Sequence, residues 1–218
     1  MKWETHCHTM YSNRKSRRFD ALNTPREMIE AAISKGLQGM AITDHDSVKG
    51  GLVGKRAAKA YPAFTVIPGV EVTTALGHIL AIGVEEDIPR GLGVRETIDK
   101  IHEAGGIAVA SHPFSNRAKS VKEECVKADA IEVFNAFNTP LANAKAMRLA
   151  LKNSKPQTGG SDAHWRRTLG KAGLVCDDPI EDVPKGRARV FGEYTSPWEL
   201  RLFQVRQILS CLAGRPIS

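Results

Sequence analysis

The apolar positions of this 218-residue chain follow two periods. Short, nearly continuous apolar runs read as buried strands: Gly39 to Thr43, Phe64 to Pro68, His78 to Val84, Ile107 to Ala110 and Ala130 to Phe134, with a short first strand expected over Lys2 to Thr5 and a last short one near Pro156 to Thr158. Between several of these runs the apolar residues recur at helical spacing. Thr24-Pro25-Arg26-Glu27 has the form of a helix start, with Thr as N-cap, Pro at the first position and Glu at the third; Gly36 ends that helix. Further helices are predicted over Val94 to Ala104, over Leu141 to Asn153, and over Pro197 to Ala213 behind a Ser196 cap. Apolar strands alternating with helices predict an α/β fold with a parallel sheet. Pro89 to Gly93 and Ser115 to Lys122 read as loops. No repeat or linker divides the chain. We expect a single domain over residues 1–218, with 177–218, which lacks the earlier motifs, as a short C-terminal extension.

Composition narrows the class. With 42% hydrophobic and 25% charged residues, the chain suits one folded domain and excludes collagen-like or disordered classes. Its four cysteines form no CxxC pair, which excludes a disulfide scaffold, a zinc ribbon and a thioredoxin-like motif. No uncharged apolar run approaches the ~18 residues of a membrane helix, and no secretory leader is legible. The chain therefore reads as cytoplasmic, with no membrane partner. Its 31 basic and 24 acidic residues give a net charge of +7, which suits a phosphorylated small molecule or a nucleic acid as well as plain solubility. The basic excess is uneven, with one cluster at Arg14, Lys15, Arg17 and Arg18. Aromatic residues make up only 6%, which argues against a stacking platform dedicated to single strands.

Five of the seven histidines lie at or just beyond the C-terminal ends of predicted strands: His6, His8, His45, His112 and His164. In a parallel α/β sheet or barrel those ends share one face, where active sites are built. Carboxylates travel with the histidines in Thr43-Asp44-His45-Asp46, in Gly69-Val70-Glu71 and in Ser161-Asp162-Ala163-His164. His-x-His places both rings on one side of an extended segment and turns the intervening Cys7 to the other. Imidazole and carboxylate without paired thiolates form a hydrolytic metal set suited to Zn, Mn or Fe. By position alone, His78 at a strand start and His102 within a helix read as ordinary structural histidines.

The ordered set His-x-His, Thr-Asp-His, Gly-Val-Glu, His-Pro and Ser-Asp-x-His resembles the PHP (polymerase and histidinol phosphatase) domain family over roughly residues 3 to 175. His78-Ile79-Leu80, Gly105-Gly106 and Ile131 to Asn135 fit the same pattern. The resemblance implies a distorted barrel of seven parallel strands holding two or three divalent ions. It implies that His6, His8, Glu71 and Asp162 hold the first ion. Glu71 would bridge to a second, completed by His112 and His78, and His45 and His164 would hold a third. Ser12-Asn13 stands where the family carries an acidic or imidazole ligand. A neutral amide is a weaker ligand, so a weakly held third ion is expected. Asp20 could fold back to substitute, although its spacing gives that no special support.

The resemblance implies phosphoester hydrolysis, and a metal-activated hydroxide supplies the chemistry. Glu71, His45 and His164 are the expected catalytic ligands, with Asp44 and Asp46 orienting them or carrying protons. Arg14, Arg17, Arg18, Arg117 and Arg166 are candidate phosphate clamps. The substrate could be a phosphomonoester or a nucleotide or oligonucleotide diester. Two other readings compete: a nucleic-acid-binding or regulatory module with a degenerate site, and a metal-dependent amidohydrolase.

Overall fold

The structure is a computed structural model that describes residues 1–13 and 19–217, with residue 13 described by its backbone alone. Nine strands among the described residues form one sheet: β1 (Lys2–Glu4), β2 (Gly39–Ile42), β3 (Thr65–Thr73), β4 (His78–Ile82), β5 (Ile107–Ala110), β6 (Ala130–Asn135), β7 (Gln157–Gly160), β8 (Ala172–Val175) and β9 (Arg189–Gly192). Their order is β7-β6-β5-β4-β3-β2-β1-β8-β9. The sheet curls until β7 packs on β8 and β9, although its two edges do not pair. The result is a nearly closed, distorted α/β barrel.

The expected α/β barrel is present, but its strands are mixed rather than seven in parallel. β4 runs antiparallel to β3 and β5, and β8 runs antiparallel to β1 and β9. Connection length explains the first reversal. Only Thr74 to Gly77 join β3 to β4, enough for a hairpin and too few for a crossover. β3 also outruns its expected end at Pro68. It pairs with β2 as far as Ile42 opposite Pro68, then with β4 from Gly69 to Thr73. Proline, which has no N–H to give a ladder, stands where the strand changes partner. Glu71 is therefore inside a strand rather than after one.

Helices α1 (Pro25–Ser34), α2 (Lys49–Ala58), α3 (Val94–Glu103), α4 (Pro140–Lys152), α5 (Pro179–Asp182) and α6 (Pro197–Ala213) surround the sheet. The predicted capping boxes form at Thr24 with Glu27 and at Ser196 with Glu199. α2 has no helical signature in the sequence, because Gly50, Gly51 and Gly54 oppose one. Close approach explains them. A Cβ at Gly51 would sit 2.8 Å from Pro68 Cα, and one at Gly50 would sit 1.7 Å from Asp44 Oδ2. None of the described helices is long and apolar enough to cross a membrane.

Two apolar layers pack the helices on the sheet, and a third cluster fills the barrel with Trp3, Ala41, Leu80, Ile82, Val109 and Leu174. Alternation along the strands then builds the site. The positions that put Leu80 and Ile82, Ile107 and Val109, and Ala130 into the barrel continue to His78, Ser111 and Glu132. The same period buries hydrocarbon deep in the barrel and polar groups toward its mouth. β9 pairs with β8, so the C-terminal residues join this sheet. α6 beyond them packs Phe203 on Leu22 and Trp165.

Candidate metal centre

The segment after β1 runs alongside the segment after β7. His8 N donates to Ala163 O at 2.9 Å, and Asp162 N donates to His6 O at 2.8 Å. This pairing turns His6, His8 and Asp162 toward Glu71 of β3. Cys7 turns the other way, its thiol donating to Ala41 O at 3.3 Å. His6 Nε2 lies 3.4 Å from both Glu71 Oε2 and Asp162 Oδ1, and His8 Nε2 lies 3.3 Å from the same two oxygens. Donors bonded tetrahedrally to a zinc-sized ion stand about 3.3 Å apart. All four side chains are buried. Among the described residues His6 Nε2, His8 Nε2 and Glu71 Oε2 have no hydrogen-bond partner, a costly state that a cation would relieve. The donor set therefore fits a divalent ion.

The other oxygen of Glu71 faces a second group. Oε1 lies 3.1 Å from His78 Nδ1 and 2.9 Å from His112 Nε2, and it accepts from Ser111 Oγ at 2.8 Å. His45 Nδ1 approaches Oε2 at 3.2 Å. His78 reaches this group because β4 is antiparallel. Its first residue lies at the same mouth as the last residues of the parallel strands.

A third group is His8, Asp20, His45 and His164. Asp20 Oδ2 lies 3.3 Å from His164 Nε2 and 3.8 Å from His45 Nε2. A carboxylate thus stands where the sequence led us to expect a deficit. Nothing near residue 20 in the sequence signals this. The segment is held from the far end of the chain, where Gln207 Nε2 of α6 donates to Phe19 O at 2.9 Å and Asp20 O at 3.1 Å.

Charge follows the same plan. Burial alone would raise the Glu71 carboxyl, but His45, His78, His6 and His112 hold it well below the usual range. Asp162 behaves likewise between His6, His8 and His164. Burial opposes a charge on His164, yet Asp20 and Asp162 together outweigh it and lift the ring to about 10, while Asp20 falls to about 2. Burial dominates at His45 and lowers it to about 4. The carboxylates are thus held in the ionised form that a metal ligand needs.

Behind these groups stands a supporting layer that the sequence reading assigned only in part. Glu132 Oε1 lies 2.9 Å from His6 Nδ1, and its Oε2 accepts from His112 N at 2.8 Å and Asn135 Nδ2 at 3.0 Å. A carboxylate on the outer nitrogen fixes the tautomer that leaves the inner one free to ligate. Asp44 accepts from Thr9 and Ser12, and Ser12 Oγ lies 3.1 Å from His8 Nδ1. Glu4 gathers the amides of Thr5, His6, Ser161 and Gly170, tying β1 to the Asp162 segment. One signal for Glu132 was available: it is a lone acid inside the otherwise apolar run Ala130 to Phe134. His112 and Asp162 adopt φ of 27° and 51°, a region that side chains rarely occupy and that functional sites often hold.

Other expected site residues are placed differently. Asp46 accepts from Thr73 N at 2.7 Å and pairs with Arg90 at 3.1 Å, so it braces a loop. Arg166 points toward Glu27, 4.0 Å away, and does not line the cavity over the metal centre. Arg117 does line it, its guanidinium stacked 5.3 Å from the Phe137 ring. Arg14, Arg17 and Arg18 lie outside the described residues. That cavity has a volume of about 270 Å³, with Phe137 and Phe203 on its walls.

A family model for a PHP-associated region matches residues 140–185. An uncharacterised protein of Methanocaldococcus jannaschii, MJ1587, is 39% identical over 144 residues, spanning 63% of this chain and 84% of the relative. The error-prone DNA polymerase of Cutibacterium acnes is 35% identical over 83 residues, 38% of this chain and 6% of the polymerase. Among solved structures, a two-domain protein of Bacteroides vulgatus superposes with a TM-score of 0.70 at 17% identity, covering 94% of this chain and 69% of that one; it is described as containing a predicted PHP-like metal-dependent phosphoesterase.

Proposed function

The chain belongs to the PHP domain family, and on that premise we propose that it is a metal-dependent phosphoesterase. One observation carries the reading. Glu71, wholly buried, offers its two oxygens to separate imidazole groups at the floor of a cavity. An anionic bridge of this kind offsets the repulsion between neighbouring cations.

His6, His8, Glu71 and Asp162 would hold one divalent ion of the Zn, Mn or Fe class. Glu71 with His78 and His112 would hold a second, and His45, His164 and Asp20 a third. Such ions, when bound, supply Lewis acidity toward phosphoryl oxygens and lower the pKa of water. The remaining tasks fall to the protein. Arg117 stands at the cavity edge, where a guanidinium matches the oxygens of a phosphate ester. Phe137 and Phe203 exclude water from the walls. Asp44, through Ser12, keeps the His8 ring turned inward, and Glu132 does the same for His6. On this reading Asp44 is a positioning residue and Asp46 braces a loop through Thr73 and Arg90.

The test is hydrolysis by protein loaded with Mn or Zn, assayed on p-nitrophenyl phosphate, bis-p-nitrophenyl phosphate and a cyclic amide. We expect phosphoester turnover that a chelator abolishes and added metal restores. Turnover of the amide alone, or full metal loading with no phosphoester turnover, would overturn the reading.

A further inference from the structure

A second cavity, of about 550 Å³, adjoins the catalytic one and shares Ser115 with it. Phe114 and Leu149 give it an apolar floor, and Lys122, Lys145, Arg148 and Lys152 give it a cationic rim; Glu123 is its acidic lining residue. Lys145, Arg148 and Lys152 stand at i, i+3 and i+7 on α4, away from the buried Ala142, Ala146 and Ala150. All four cations are exposed, and none has an ion-pair partner among the described residues. Like charges spaced this way repel, so the stripe destabilises its helix unless an anion lies along it.

The groove is physically tied to the metal centre. Its wall is the loop that leaves His112. Ser120 Oγ donates to Ser115 O at 2.9 Å, and Lys122 N donates to Pro113 O at 2.9 Å, closing the loop on itself. Ser115, Arg117 and Ala118 of that loop face the catalytic cavity, and Phe114, Ser120 and Lys122 face the groove. Lys122 is held at a φ of 50°, unusual for a lysine. From Lys145 to Lys152 the helix rises about 10 Å, longer than one phosphate group.

We propose that this groove is a binding subsite for a single-stranded oligonucleotide, whose phosphodiester backbone lies along the α4 cations while its terminal ester enters the catalytic cavity. The proposal rests on the phosphoesterase reading and names the substrate class for it. Cations along an apolar floor suit a strand, which offers both charged phosphates and flat base faces. Inorganic polyphosphate has no group for Phe114 or Leu149.

The test uses metal-loaded protein and fluorescein-labelled 12-nucleotide single strands of RNA and of DNA, read by anisotropy across a salt series. The variant is Lys145→Glu/Arg148→Glu/Lys152→Glu, with folding checked by circular dichroism. A control, Arg56→Glu/Lys59→Glu, reverses exposed charges at the end of α2, which packs on β2 and β3 rather than on β6. We expect the α4 variant to weaken strand binding at least tenfold and to reduce the salt slope by about 2, the loss of roughly three phosphate contacts. The control should stay within threefold. Equal weakening by both variants, or none by the α4 variant, overturns the groove, as does equal competition by polyphosphate of matched charge. Strand binding that depends on α4 in a protein with no phosphoester turnover upholds the groove and removes the reading of the metal centre. RNA and DNA arms that differ show which backbone the groove prefers, and binding in either arm upholds it.

Discussion

The inner and outer halves of the metal centre are built from similar side chains and held in different ways. The inner half, His6, His8, Glu71 and Asp162, is buried, with Asp162 at 8% exposure and the other three at zero. Its backbone is fixed by strand pairing, and its rings by Glu132 and by Asp44 through Ser12. The outer half, His45, His164 and Asp20, reaches the cavity surface, with side-chain exposures of 29%, 14% and 32%. Its carboxylate comes from a loop, and Gln207 on the C-terminal helix donates two hydrogen bonds to the backbone of that loop. The barrel fixes the inner half as part of folding. The outer half depends on a contact between segments nearly 190 positions apart. Metal affinity should therefore fail from the outside inward.

Breaking the residue that joins the first two groups should have the largest effect. Glu71→Gln removes the charge that those two groups share and that His45 of the third approaches at 3.2 Å. We expect turnover to fall by roughly three orders of magnitude and metal content to fall in both halves. Steady-state kinetics with elemental analysis of the purified variant checks this.

Glu132→Gln separates the halves from below. It weakens the carboxylate behind His6 and leaves the outer residues untouched. Metal affinity of the inner half should drop about 10- to 100-fold, as measured by competition with a fluorescent chelator. Asp20→Asn separates them from above. It should cost one ion per chain, the one most readily dialysed, while the inner ion stays bound.

How much of this was legible beforehand follows the same division. Most inner ligands are read from the chain, because apolar runs mark strands and a histidine or acid at the end of such a run marks the mouth. Two features of the barrel were hidden. The reversal of β4 placed His78 at the mouth; its position at a strand start argued against it, the family resemblance argued for it, and the short Thr74–Gly77 connection carried the physical clue. α2 was hidden because its glycines read as poor helix formers, whereas they serve close packing against Pro68 and Asp44. Asp20 was legible only as a possible substitute for Asn13, because nothing local recruits it; its partner, Gln207, lies at the other end of the chain.

Gln207→Ala gives the smallest effect and the most specific one. It deletes two hydrogen bonds to the Asp20 segment without touching any ligand, at a cost of about 1 kcal/mol. Outer-ion affinity should weaken a few-fold, seen as a shift in the metal titration of activity, with inner-ion affinity unchanged.

The central claim is that Glu71 joins two donor groups into one centre. Anomalous diffraction at the metal absorption edge, on crystals grown with Mn or Zn, tests it most directly. The account predicts anomalous density on both sides of the Glu71 carboxylate, one peak among His6, His8 and Asp162 and another beside His78 and His112. A single peak, with the second oxygen of Glu71 bonded only to protonated imidazoles at full metal loading, would contradict it.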